Sequence, residues 1–132
     1  MTTQVELLPG IRWGRALVGG LLIELVLMVM TVPFVALGRT EILPNFVLPA
    51  TAVAAVLVGM WVARRVDRPV LHGALAGMAA VLLYVLLAIA ATLAEPELAD
   101  FNTAFSPAYL ATHVLKVLGA MAGAWLMARR RV

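Results

Sequence analysis

The sequence predicts an all-α fold, an integral membrane four-helix bundle made of two antiparallel helical hairpins, and three observations carry that prediction. Of 132 residues, 64% are hydrophobic and only 13% are charged, with a mean hydropathy of +1.02. The apolar residues fall into four runs, each of about twenty residues, the length that crosses ~30 Å of hydrocarbon as a helix. The segments between the runs are short, which makes successive helices antiparallel neighbours. A soluble domain of this size needs far more polar surface, so the surplus apolar side chains must face lipid.

The spans are predicted over about 14–37, 46–63, 70–94 and 107–128, in a single transmembrane domain covering 1–132. The first run is longer than the apolar core of a signal peptide, about 7–15 residues, and lacks a small-residue cleavage site. It reads as a retained helix, with residues 1–10 as a mobile or interfacial lead-in. The chain has no cysteine, which excludes disulfides, thiolate catalysis and cysteine metal sites.

Orientation follows from lysine and arginine near the helix ends. One side carries Arg12, Arg15, Arg64, Arg65, Arg68, Arg129, Arg130 and Arg131. The other carries Arg39 alone, with the acidic Glu41, Glu95, Glu97 and Asp100. This bias predicts a bacterial inner-membrane protein with N-terminus, middle loop and C-terminus in the cytoplasm. Trp13, Trp61 and Trp125 fall at the same face, where an aromatic belt belongs. Short arginine clusters between apolar runs orient a membrane protein; they are not a nucleic-acid surface.

The two halves resemble each other. Ala16-Leu17-Val18-Gly19 echoes Ala74-Leu75-Ala76-Gly77, and Gly59-Met60-Trp61-Val62-Ala63-Arg64-Arg65 echoes the stretch from Gly123 to Arg130 with one insertion. Both hairpins start on the cytoplasmic side, so a duplication would be a parallel internal repeat. The same recurrences arise from membrane-helix composition alone.

Without a hydrophobic drive between helices, small residues and a few polar contacts hold a membrane bundle together. Each helix carries such a stripe at 3.6-residue spacing. In the first it is Leu17, Gly20, Glu24, Leu27 and Thr31; in the second, Leu48, Ala52, Ala55 and Gly59. The third presents Gly73, Gly77, Ala80, Tyr84, Ala88 and Ala91, and the fourth Thr112, Lys116, Gly119 and Gly123, with His113 and Ala120 on its flank. Gly73/Gly77 and Gly119/Gly123 each make a GxxxG, which packing within the monomer accounts for.

Two ionisable residues, Glu24 and Lys116, lie near the middle of their spans. Each costs roughly 2.5–3.5 kcal/mol if left alone at the bilayer centre, and each sits on the stripe that faces the bundle. An ion pair between the first and fourth helices is therefore expected, with Tyr84 at similar depth and Thr31 and His113 somewhat nearer the outer face. Two readings stay open: a structural pair that sets helix register, and a site that carries protons or binds a substrate. His72 and His113 are on the order of 20 Å apart by helix rise, too far to share one iron, and neither belongs to a ligand motif. His72 is expected at the interface beside Arg68. Pro33 should kink the first helix above Glu24. The loop from Glu95 to Ser106 reads as an acidic external segment with Phe101 and Phe105 at the interface. No phosphate loop, serine–base pairing or carboxylate dyad is present.

The four-helix layout, the Gly/Ala-rich third helix and the Lys-x-x-Gly-x-x-x-Gly of the fourth resemble small uncharacterised bacterial membrane proteins of the YrzE-like kind, a resemblance that implies no activity. The chain is also superficially similar to small multidrug resistance transporters, which have four helices and a functional glutamate in helix one, the place Glu24 would fill. It departs from them in Lys116 and in its arginine bias, and their activity is not carried over. The sequence thus predicts a non-enzymatic structural or accessory subunit of a membrane assembly. The alternative is a small oligomeric transporter or channel using Glu24, Lys116, Tyr84 and His113. The expected partners are the lipid bilayer and a membrane protein or a parallel homo-oligomer, with no nucleic acid, cofactor or metal.

A reporter fused after Val132 should be cytoplasmic, and one inserted between Glu95 and Ser106 should be external. A cytoplasmic signal from that loop overturns the orientation.

Overall fold

Three of the four long helices begin at a proline in their first turn, where the missing N–H would have had no intrahelical partner. In the computed structural model, which describes residues 10–96 and 106–130, these helices are α1 (Trp13–Ala36), α2 (Leu43–Val62), α3 (Pro69–Ala94) and α4 (Pro107–Arg129). All four are long and apolar enough to cross a membrane. The acidic Glu97 and Asp100, Phe101, Phe105, Arg131 and most of the lead-in segment lie outside the described residues.

The ends have local causes. Beyond α1, Gly38 takes a left-handed φ of +67°. Its N–H donates to the Val35 carbonyl and the Arg39 N–H to the Phe34 carbonyl, closing orphan acceptors of the last turn. A 3₁₀ turn at Thr40–Ile42 then leads into α2. That helix starts three residues before the predicted 46, because Pro44 fits a first turn and does not interrupt it. Helix α1 runs through Pro33 to Ala36.

Packing places α4 against both α2 and α3, and α1 against α3 and, less extensively, α2. Helices α1 and α4 stand on opposite corners of the bundle, and their backbones scarcely approach. Close approach is a glycine effect. A Cβ on Gly59 would overlap the Ala120 carbonyl of α4, and one on Gly123 would overlap the Val56 carbonyl of α2. Gly73 and Gly77 seat α3 on α4 at Ala120 and at Lys116–Val117 in the same way. Both GxxxG pairs are thus occupied inside the monomer, where van der Waals contact between backbones replaces the hydrophobic drive that lipid removes.

Burial is concentrated in the half that carries the arginines. Ala55, Ala76, Ala80, Ala120 and Ala124 are fully buried there, with Ile23 and Val62. The predicted α1 stripe is corrected at one end: Leu17 is 59% exposed, and Ala16 and Gly19 take its place beside the expected Gly20. The helix turns this way because Gly19 meets Val62 while Gly20 meets Ala79 and Ala80, so α1 nests between α2 and α3. Ala91, placed on the α3 stripe, is exposed.

Polar side chains lock this end. The Arg15 guanidinium donates to the Trp61 carbonyl at 2.8 Å, satisfying an acceptor in the last turn of α2. His72, expected at the interface beside Arg68, has its side chain buried at this end, against the segment that leads into α1. Its Nε2 accepts the Arg12 N–H at 3.0 Å while its Nδ1 donates to the Arg68 carbonyl at 2.8 Å, so both ring nitrogens are used structurally. The three tryptophans sit at this end, with Arg15 over the Trp61 ring and Arg129 over that of Trp125. Toward the opposite end the helices part, and Val32, Val35, Leu86, Ile89 and Leu93 are all exposed.

Gly123→Ala should lower the thermal midpoint in detergent by several degrees, an overpacking cost of roughly 1–3 kcal/mol. Gly14→Ala, whose added methyl meets open space, should leave the midpoint equal or slightly raised. Equal midpoints for the two variants, read by tryptophan fluorescence on heating, would remove the close-approach explanation.

Candidate functional site

Glu24 and Lys116 arrive from opposite corners of the bundle. Lys116 follows Thr112 by four residues and precedes Gly119 and Ala120 on one buried face of α4, so its stem lies along the small residues that let α3 and α4 close up. Glu24 shares the buried face of α1 with Gly20, Ile23 and Leu27. Their side chains meet with Nζ 2.5 Å from Oε1, at 5% and 3% residual exposure for Glu24 and Lys116. No described group donates a further hydrogen bond to that oxygen. The contact links two helices whose backbones stay apart. In a medium of low dielectric, each charge supplies what the other has lost with its water.

The aromatic residues gather on the lysine. The Tyr84 ring of α3 lies 4.8 Å from Nζ at its centroid, a cation–π contact in a desolvated place. Tyr84 also stacks on Tyr109, with centroids 6.1 Å apart, and tilts against His113 at 4.7 Å. The His113 Nδ1 is buried without a hydrogen-bond partner among the described residues. Four of the five residues predicted for a polar cluster, Glu24, Lys116, Tyr84 and His113, are therefore in one chain of contacts. The fifth, Thr31, stands apart from it: its hydroxyl donates to the Leu27 carbonyl of its own helix at 2.8 Å.

A cavity of about 400 Å³ opens above the pair, with walls from all four helices. By position along the helices, Glu24, Thr51, Tyr84 and Lys116 form its floor, nearest the arginine end. Leu27, Met28, Val35, Leu43, Val47 and Leu87 supply apolar wall toward the other end. Thr31 and Thr112 line it as well. Below the floor the bundle is closed by the buried alanine and glycine layer. The arrangement can hold a solute against a buried ion pair and is closed toward the arginine end.

Tyr109 and Thr51 are the residues that sequence reasoning missed. Tyr109 lies seven residues before Lys116 and four before His113, so a helical-face count on α4 signals it. Thr51 is fully buried, yet it lies one position off the expected α2 stripe, and only the packing of α2 reveals it. Among the described residues, no group of three or more His, Cys, Asp or Glu side chains is placed to hold a metal ion. Comparison with protein-family models, with curated proteins and with solved structures finds no match.

Glu24→Gln leaves an ammonium without its counterion, and Lys116→Met leaves a carboxylate in the same position. Each should cost about 3–5 kcal/mol, softened where the remaining group neutralises. The double variant Glu24→Leu with Lys116→Met should recover most of the loss, because the buried charge is gone. Thermal midpoints of the four proteins check this. A double variant no better than the worse single one would show that the charges are not the source of the penalty.

Proposed function

We propose that the protein is a non-enzymatic, multi-pass protein of the bacterial inner membrane, serving as an accessory subunit of a membrane assembly. Its topology in this reading is two antiparallel hairpins, α1–α2 and α3–α4, with both termini cytoplasmic. Support for the hairpins comes from neighbours at matching ends: Arg15 with Trp61, Phe34 with Phe46, and Gly73 with Ala124. Support for the orientation is the gathering of arginines and tryptophans at one end. The reciprocal seating of Gly59 on Ala120 and Gly123 on Val56 is the support for an internal repeat, and it is local to α2 and α4.

The observation that carries the accessory role is the self-contained ion pair. Glu24 and Lys116 pair their charges with each other inside one chain, so they serve register and cohesion first, the use for which buried ionic groups are best attested. The large apolar side chains face outward along α1 and α3, where lipid or the helices of a partner can lie against them. A second reading, a small oligomeric transporter or channel, is favoured by the cavity that reaches the pair. Four helices enclose no wide pore, so that reading needs several copies, in parallel arrangement given the single orientation.

Extraction in a mild detergent followed by native mass measurement tests the two. A discrete complex with a different membrane protein, retained by the Glu24→Leu, Lys116→Met double variant, is the expected result. A homo-oligomer alone, with solute flux in vesicles that the double variant abolishes, would replace the accessory role by the transporter.

A further inference from the structure

The polarity of the cavity runs opposite to that of a membrane leaflet. Its charged groups are at the floor, deep in the bundle, and toward the mouth its walls are apolar apart from Thr31, Thr112 and Tyr109. A phospholipid entering from that end would lay the methyl end of its tail on an ion pair and its headgroup among leucines and valines. Bilayer lipid is thus the wrong occupant, and what fits is a molecule that leads with its polar end.

The polar capacity of the floor is specific. Thr31, Thr51 and Thr112 spend their hydroxyl protons on carbonyls of their own helices, at 2.8, 2.7 and 2.6 Å, and keep only acceptor capacity. What remains is the ammonium of Lys116, which has three donors and meets one carboxylate oxygen and one ring face, the second oxygen of Glu24, and the hydroxyls of Tyr84 and Tyr109. Donor and acceptor stand side by side, and together they carry no net charge. A charged ligand would bring a third ion into a desolvated place that holds no counterion for it. An uncharged one need only complete the bonding: a carbonyl accepting from Lys116, or a hydroxyl donating to Glu24. The volume of about 400 Å³ lies at the small end of the range for small-molecule pockets. Beside it, between α2 and α4, a second cavity of about 340 Å³ shares Leu43, Val47, Tyr109 and Thr112 as lining. That space is a side route for a compound dissolved in the bilayer.

We propose that the Glu24–Lys116 cavity binds an uncharged lipophilic alcohol or ketone, polar end inward on the ion pair and apolar body along α1 and α2. The site does not depend on the accessory role, because its lining comes from one chain.

The test uses the full chain in lipid nanodiscs and a fatty alcohol bearing a photoreactive diazirine on its chain. Probes of the same length ending in a carboxylate or a trimethylammonium serve as comparisons. Saturable labelling by the alcohol should map to Leu27, Met28 and Val47, and exceed that by either charged probe about tenfold, as the loss of a counterion in a desolvated site implies. Val47→Trp fills the space shared by the two cavities and should remove the saturable component. Val53→Trp, on the exposed side of the same helix, should leave it in place. Leu43→Trp is the second filling variant should Val47→Trp fail to fold. Labelling that never saturates, or that ignores both filling variants, means partition into lipid only and overturns the proposal. A charged probe that labels these positions more strongly overturns the ligand class. Either failure leaves the accessory role standing, since that role is read from co-purification.

Discussion

Two opposite charges must share one apolar interior, and much of the bundle is arranged around that constraint. Neither Glu24 nor Lys116 is tolerable alone at the centre of a span, and they stand on helices at opposite corners. Bringing them into contact requires α2 and α3 to fit closely around α4, which only small residues allow. The alanine and glycine faces and the ion pair are therefore one design. The backbone contacts of Gly73 and Gly77 with α4 set the position of the Lys116 segment, and the nesting of Gly19 and Gly20 sets that of Glu24. Replacing any of these glycines by a larger residue would act on the charge contact through the distance between helices.

The bundle is closed at one end and parted at the other, and the asymmetry has a composition behind it. At the arginine end, alanine and glycine dominate the inward faces, and Arg15 and His72 tie helix ends together with hydrogen bonds to backbone. Such bonds are retained because an unpaired backbone group in an apolar medium costs several kcal/mol. Toward the opposite end the inward residues are larger, Leu27, Tyr84 and Tyr109 among them, and helices separated by large side chains leave space between them. The cavity is the consequence. Its floor is polar because the ion pair stands at the level where the two regimes meet.

Sequence alone determined a good deal of this protein. Apolar run length fixes the number and approximate bounds of the spans, since the bilayer sets a length that a helix must match. The charge cost in lipid implies that Glu24 and Lys116 seek each other, and helical spacing puts Tyr84 and His113 near them. Gly73, Gly77, Gly119 and Gly123 are legible as packing positions for the same reason: in lipid, close approach is the cohesion available.

Which helices that do not follow one another in the chain become neighbours was decided only by the tertiary structure. A small-residue stripe states that something packs there and does not state what, so the diagonal of α1 and α4 could not be read from spacing. The turn of α1 that exposes Leu17 and buries Ala16 depends on two neighbours at once, as does the burial of Thr51 on α2. His72 reads as interfacial from its place beside Arg68, and only the packing buries its side chain, where Nε2 accepts the N–H of Arg12, the residue before α1. The cavity is likewise a property of separations between helices. Periodicity along one chain records which side of a helix is inward and carries no record of how far away the facing helix stands.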